Sequence, residues 1–321
     1  MRVVSFLPSA TEIVYALGQG DRLVGRSHEC DHPAEARSLP VVMRARENLG
    51  PLSSREIDQK VRERIASHEE LYEIDEPMLA RLDPDLILTQ ELCRVCSITP
   101  KGLASALAKL SRQPKVVVLS PRRLADAVKD VQTVARELSV PDRGKALAAD
   151  LERRIEAASP RPPRGSRATE ESSEAAPRVA VLEWLDPPIP GGLWVPDMIR
   201  KAGGVPVLAK AGEEAKSTTW DDLRGAAADL IVVAPCAYPL DRTLGELRGP
   251  RPHPLEDLHP PRGVWAADEA FFSRPGPRLT EGVELLADLL HGPGRPRRSF
   301  EGRAVPAFKS PLPTYRIPTR R

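Results

Sequence analysis

Five side chains with an affinity for soft metals stand just past apolar runs: His28, Cys30, Cys93, Cys96 and Cys236. Thiolates with an imidazole suit zinc or an iron–sulfur cluster, and the C-x-x-C spacing of Cys93 and Cys96 lets two thiolates grip one ion. The four cysteines form the candidate metal set. Burial as small hydrophobic side chains is the alternative, since free cysteine is among the most buried residue types. Trp184 and Trp194 flank a Pro- and Gly-rich loop, 186–192, in a chain that is only 4% aromatic. Aromatic faces in such a place stack on large flat ligands. Arg274 and Arg278 bracket the turn Arg274-Pro275-Gly276-Pro277-Arg278. They could hold a carboxylate or phosphate bidentately, or simply pair with nearby acids. His32, His253 and His259 read as solvated loop residues. No phosphate-binding loop, dinucleotide fingerprint or nucleophile elbow is present.

The elements that must position these residues alternate between strand and helix. Val3–Leu7 is a short apolar run, followed by Ser9-Ala10-Thr11-Glu12 at capping-box spacing and an amphipathic segment that stops at Gly18. Leu23–Gly25 reads as a second strand carrying 27–31 at its carboxyl end. Val41-Val42 is a third. Helices follow at 54–65 and 77–82, then the buried strand Leu86-Ile87-Leu88, which leads into Gln90 and the paired cysteines. Another helix at 103–110 and the strand Lys115–Leu119 continue the βαβ order, which implies a parallel sheet with ligand-binding loops at its carboxyl edge. Helical spacing from Leu124 to Leu138 and again over 146–157 predicts a helical connector.

Order resumes at Val179–Leu182, with a helix closed by Gly203-Gly204, a short helix from Trp220, the strand Leu230–Val233, an edge-like strand Val264–Ala266 and a last helix, 279–290. The halves echo one another: 3–7 matches 179–182, and Asp85–Gln90 matches Asp229–Ala234. The fold class expected is therefore α/β, two Rossmann-like lobes with mainly parallel sheets joined by a helical connector. The boundaries read as 1–121, connector 122–158, a disordered linker 159–177, 178–291, and a basic Pro/Arg-rich disordered tail 292–321. A small-molecule site is expected in the cleft between two such lobes.

The net charge of +2 conceals a tail of about +7 beyond Gly292 and a body of about −5. An acidic body argues against nucleic acid as a partner. No apolar run reaches the length of a membrane span. The first residues enter a strand at once, so the sequence as it stands reads as cytoplasmic, or as periplasmic or cell-surface if a signal peptide was trimmed or mis-started.

Ser5-Phe6-Leu7-Pro8-Ser9-Ala10-Thr11-Glu12-Ile13, Leu17-Gly18, Leu23-Val24-Gly25, the stretch from Asp75 to Ile87, the helical connector and Ala202-Gly203-Gly204 together resemble the helical-backbone class of ABC-transporter solute-binding proteins. That class carries vitamin B12 and ferric siderophores. The resemblance covers about residues 1–291. Within it, 27–31, 89–96, 183–187, Trp194-Val195-Pro196 and 274–278 are similar to the cobalamin-binding branch. The resemblance implies non-enzymatic binding of a corrinoid such as cobalamin, by a monomer that serves ABC-type uptake through a permease or handles the ligand inside the cell. Its ligand contacts would be Ser9, His28, Gln90, Trp184, Trp194 and Arg274, with His28 approaching the corrinoid metal. The alternatives are a cytoplasmic metalloprotein or enzyme with a Cys/His-ligated zinc or iron–sulfur site, and a ferric-siderophore carrier.

Overall fold

The computed structural model describes residues 1–91, 98–159, 176–292 and 297–308. The chain divides into two compact units, Met1–Glu152 with Arg274–Pro277, and Arg153–Ser273 with Arg278–Arg321.

In the first unit, β1 (Val3–Ser5) leads to α1 (Pro8–Ala16), β2 (Leu23–Ser27), β3 (Val41–Ala45), α2 (Ser54–Ala66), β4 (Tyr72–Ile74), α3 (Glu76–Leu82), β5 (Leu86–Thr89), α4 (Pro100–Leu107), β6 (Lys115–Val118), α5 (Leu124–Glu137) and α6 (Pro141–Ala158). The sheet order is β4-β3-β2-β1-β5-β6, parallel throughout except for the antiparallel β3/β4 edge. β1 and β5 are interior strands, and their continuous Val and Leu/Ile runs are buried on both faces, as a sheet flanked by helices requires. Val4, Phe6, Val42, Met43, Leu79, Ile87, Ile98 and Ala106 fill one face. α1 does not open on a Ser9 capping box. Pro8 occupies its first turn and Leu7 precedes it without a side-chain cap, because a fixed φ and a missing N–H suit Pro to that position. Glu12 is thereby released for a different partner. α6 begins at Pro141 for the same reason, and Arg143 donates to the carbonyl of Leu17 (3.1 Å) at the end of α1.

The second unit takes over within α6, where Arg154 makes a two-pronged pair with Glu284 (3.0 Å each). Its elements are β7 (Arg178–Trp184), β8 (Ile189–Pro190), α7 (Val195–Lys201), β9 (Val205–Pro206), α8 (Trp220–Gly225), β10 (Leu230–Val233), α9 (Leu240–Leu247), β11 (Val264–Ala267), α10 (Leu279–His291) and β12 (Ala304–Pro306). The order is β12-β11-β10-β7-β8, with β9 also on β7; β7, β9, β10 and β11 are parallel. The α/β architecture with two mainly parallel sheets is thus as expected. One strand differs: β11 is not an edge, because β12, from the stretch expected to be a disordered tail, pairs with it antiparallel. Arg248 donates to the carbonyls of Pro306 and Ala307 (2.7 Å each), which gives that short strand its outer partners. Among the described residues no helix is long and apolar enough to cross a membrane.

Candidate functional site

In the first unit the chain leaves β1 toward β2 and β3 on one side and returns to β5 and β6 on the other. The carboxyl ends of β1 and β5 therefore face a topological switch point, the place where loops part in an open α/β sheet. Ser9 follows β1 and Gln90 follows β5. Gln90 is half-buried, whereas Ser9 is 2% exposed. The cover over Ser9 is Gly276: a Cβ at that glycine would stand 3.3 Å from Ser9 Cβ, so the strap 274–277 lies on the first turn of α1.

Beside them, β2 delivers residues 27–31. The buried Arg26 shapes this turn from below, donating to the carbonyls of Ser27 (3.0 Å), His28 (3.2 Å) and Arg37 (3.0 Å). His28 is presented at the surface, its Nδ1 3.4 Å from Ser27 Oγ and its ring 6.2 Å from that of Tyr72. Cys30 is wholly buried, and its sulfur accepts from Thr11 Oγ1 (3.1 Å). Burial pushes its thiol up to about 11, against smaller opposing effects of Thr11 and two arginines. The thiol is therefore protonated in the metal-free protein. Arg274, expected to meet an anionic ligand, is ion-paired with Asp31 and lies 3.8 Å from the carboxylate of Glu12. Glu12 is 4% exposed.

The second unit has its own switch point, between β7 and β10. Trp184 stands half-buried at the end of β7. Cys236, a free and half-buried thiol just past β10, ties the two strand ends together through its backbone N–H to the Glu183 carbonyl (3.0 Å). Trp194 is only 7% exposed, and its indole N–H is bonded to the Phe272 carbonyl (2.6 Å). Of the two tryptophans, Trp184 is the more exposed. Behind it stands Tyr238, which sequence reasoning missed; rings 5.2 Å apart and 69° to one another make an edge contact. The available signal was its place, two residues past Cys236 at a strand end and four before Arg242. His253 is not a solvated loop residue: it is half-buried edge-on to Trp220, and burial lowers its pKa. Cys93 and Cys96 lie outside the described residues. Among the described residues no group of three His, Cys, Asp or Glu side chains could hold a metal ion.

The family profile described as periplasmic binding protein matches residues 3–248. The vitamin B12-binding protein of Vibrio cholerae serotype O1 is 27% identical over 157 residues, 48% of this chain and 44% of that protein. The chain thus spans about half the length of the curated relatives it matches. Among solved structures, the apo periplasmic heme-binding protein RhuT from Roseiflexus sp. RS-1 matches with a TM-score of 0.63 at 24% identity, over 92% of this chain and 99% of that one. The periplasmic vitamin B12 binding protein BtuF of Vibrio cholerae matches with a TM-score of 0.58 at 20% identity, over 90% and 96%. At these identities the structures share the fold.

Proposed function

Because the chain belongs to the periplasmic binding protein family, we propose that it is a non-enzymatic binding protein whose cargo is a corrinoid of the cobalamin type. The observation that carries the ligand class is the sequence likeness to a vitamin B12-binding protein. The half-buried face of Trp184 at the end of β7 supports it, since a flat macrocycle needs an aromatic platform. Membership of the family supports a role in delivering cargo to an ABC permease outside the cytoplasm or in keeping it within, and cell fractionation separates the two.

Isothermal titration with cyanocobalamin and, in a second arm, hemin tests the ligand. Saturable binding of cyanocobalamin is expected, with Trp184→Ala weakening it about tenfold, the equivalent of about 1.4 kcal/mol. Binding of hemin alone would replace the corrinoid reading with a porphyrin one. No binding of either at millimolar concentration would end it.

A further inference from the structure

Trp184 is one layer of a stack that continues inward. Tyr238 meets it edge-on at 5.2 Å and is 1% exposed. The Arg242 guanidinium carbon lies 3.7 Å from the centroid of the Tyr238 ring, and Arg242 Nη2 is 3.1 Å from the phenol oxygen. A cation over an aromatic face is attracted by the ring quadrupole, and a hydrogen bond at the ring's rim fixes its rotation as well. The backbone adds a further constraint. Ala237 adopts φ 61°, a left-handed conformation that a residue with a Cβ takes only under constraint. The Tyr238 N–H closes the turn onto the Pro235 carbonyl at 3.0 Å. This turn follows β10 directly, so the sheet itself aims Tyr238 inward.

A platform whose plane varies binds a rigid macrocycle less tightly than one held in place. We propose that Tyr238 and Arg242 are positioning residues that fix the plane of Trp184 for the cargo. The proposal rests on the corrinoid reading of the same face for its functional consequence, but the positioning itself is measurable without ligand. Tyr238 acts through its ring contact, and Arg242 acts through Tyr238.

The test uses the full chain labelled with 5-fluorotryptophan, which carries four tryptophans; Trp184→Phe assigns the resonance of interest. Tyr238→Phe keeps the ring edge and is expected to leave the Trp184 resonance narrow and cyanocobalamin affinity within about twofold. Tyr238→Leu removes the edge, and Arg242→Met removes the layer behind it without opening the core. Both are expected to shift or broaden the Trp184 resonance selectively and to weaken cyanocobalamin about three- to tenfold. If Tyr238→Leu does not fold, Arg242→Met carries the test. An unchanged Trp184 resonance in Arg242→Met would overturn the positioning role. So would a change spread equally over all four tryptophans. A selective change in a protein whose wild type binds no cyanocobalamin would sustain the positioning and overturn the corrinoid reading instead.

Discussion

Asp130, on α5, has a buried Oδ2 with no hydrogen-bond partner among the described residues, and burial, with Asp126 one turn away, raises its pKa from the usual carboxylate value to about 7. A carboxyl that binds its proton more tightly in the folded state than in the unfolded one costs nothing below the unfolded pKa. Its penalty grows as pH rises from the unfolded value to the folded one and is constant above that. Asp130→Asn is therefore expected to raise stability by roughly 1–3 kcal/mol near pH 8, a gain that shrinks to nothing below about pH 3, where both states are protonated. Urea denaturation at the two pH values checks it; an equal effect at both would mean that the proton is not involved. Cys30 shows the same rule with the opposite consequence. Its position in the sequence, at a strand end beside His28, was legible, but its depth was not. The Thr11 hydroxyl against the sulfur and its complete burial cannot be seen without the turn that Arg26 builds. Trp184 and Trp194 make a parallel pair. Identical in type and flanking one loop, they were separated only by a tertiary acceptor, the Phe272 carbonyl.

Elements with an uninterrupted apolar run were readable, and those whose order comes from partners were not. β5 and β10 could be recognised because Leu86-Ile87-Leu88 and Leu230-Ile231-Val232-Val233 are apolar on both faces. β4 and β12, three residues each, carry no periodicity of their own and exist because a neighbouring edge supplies their hydrogen bonds. α9 was hidden by the glycine and charges along its outer face, although Thr243 and Leu247 are buried. Packing can also outweigh propensity within a well-read helix. Gly282 sits in α10, where alanine would favour the helix by about 1 kcal/mol. Yet a Cβ there would fall 2.3 Å from the Phe271 carbonyl oxygen and 2.5 Å from Met198 Cε. The methionine can move but the backbone oxygen cannot without disturbing the turn before Phe272. Gly282→Ala is expected to destabilise by roughly 1–3 kcal/mol net, read as a lowered thermal midpoint. A rise in the midpoint would show that the helix gives way at no cost.

At the scale of the whole molecule, the first unit is not a continuous stretch of chain: it is completed by Arg274–Pro277, more than a hundred residues beyond Glu152. Sequence order could not reveal this, because the strap reads as a rigid turn leading into α10 and its acidic partners lie at positions 12 and 31. The arginine that the motif offered to a ligand is instead an internal cation of the first unit. Glu12 is the reason it matters, since a carboxylate 4% exposed has little water to stabilise its charge and depends on the charges around it. Asp31, more exposed, shares the same guanidinium but can be hydrated when it is lost. The asymmetry yields a double-mutant cycle. Arg274→Met is expected to cost roughly 2–4 kcal/mol, most of it from Glu12 left beside an apolar side chain. Arg274→Met combined with Glu12→Gln should recover more than half of that loss, because the buried charge has been removed together with its partner. Arg274→Met with Asp31→Asn should recover little. Equal recovery by the two second substitutions, read from denaturant midpoints at one pH, would mean that the strap is held by its surface pair, with Gly276 lying on Ser9 as a consequence and not a cause.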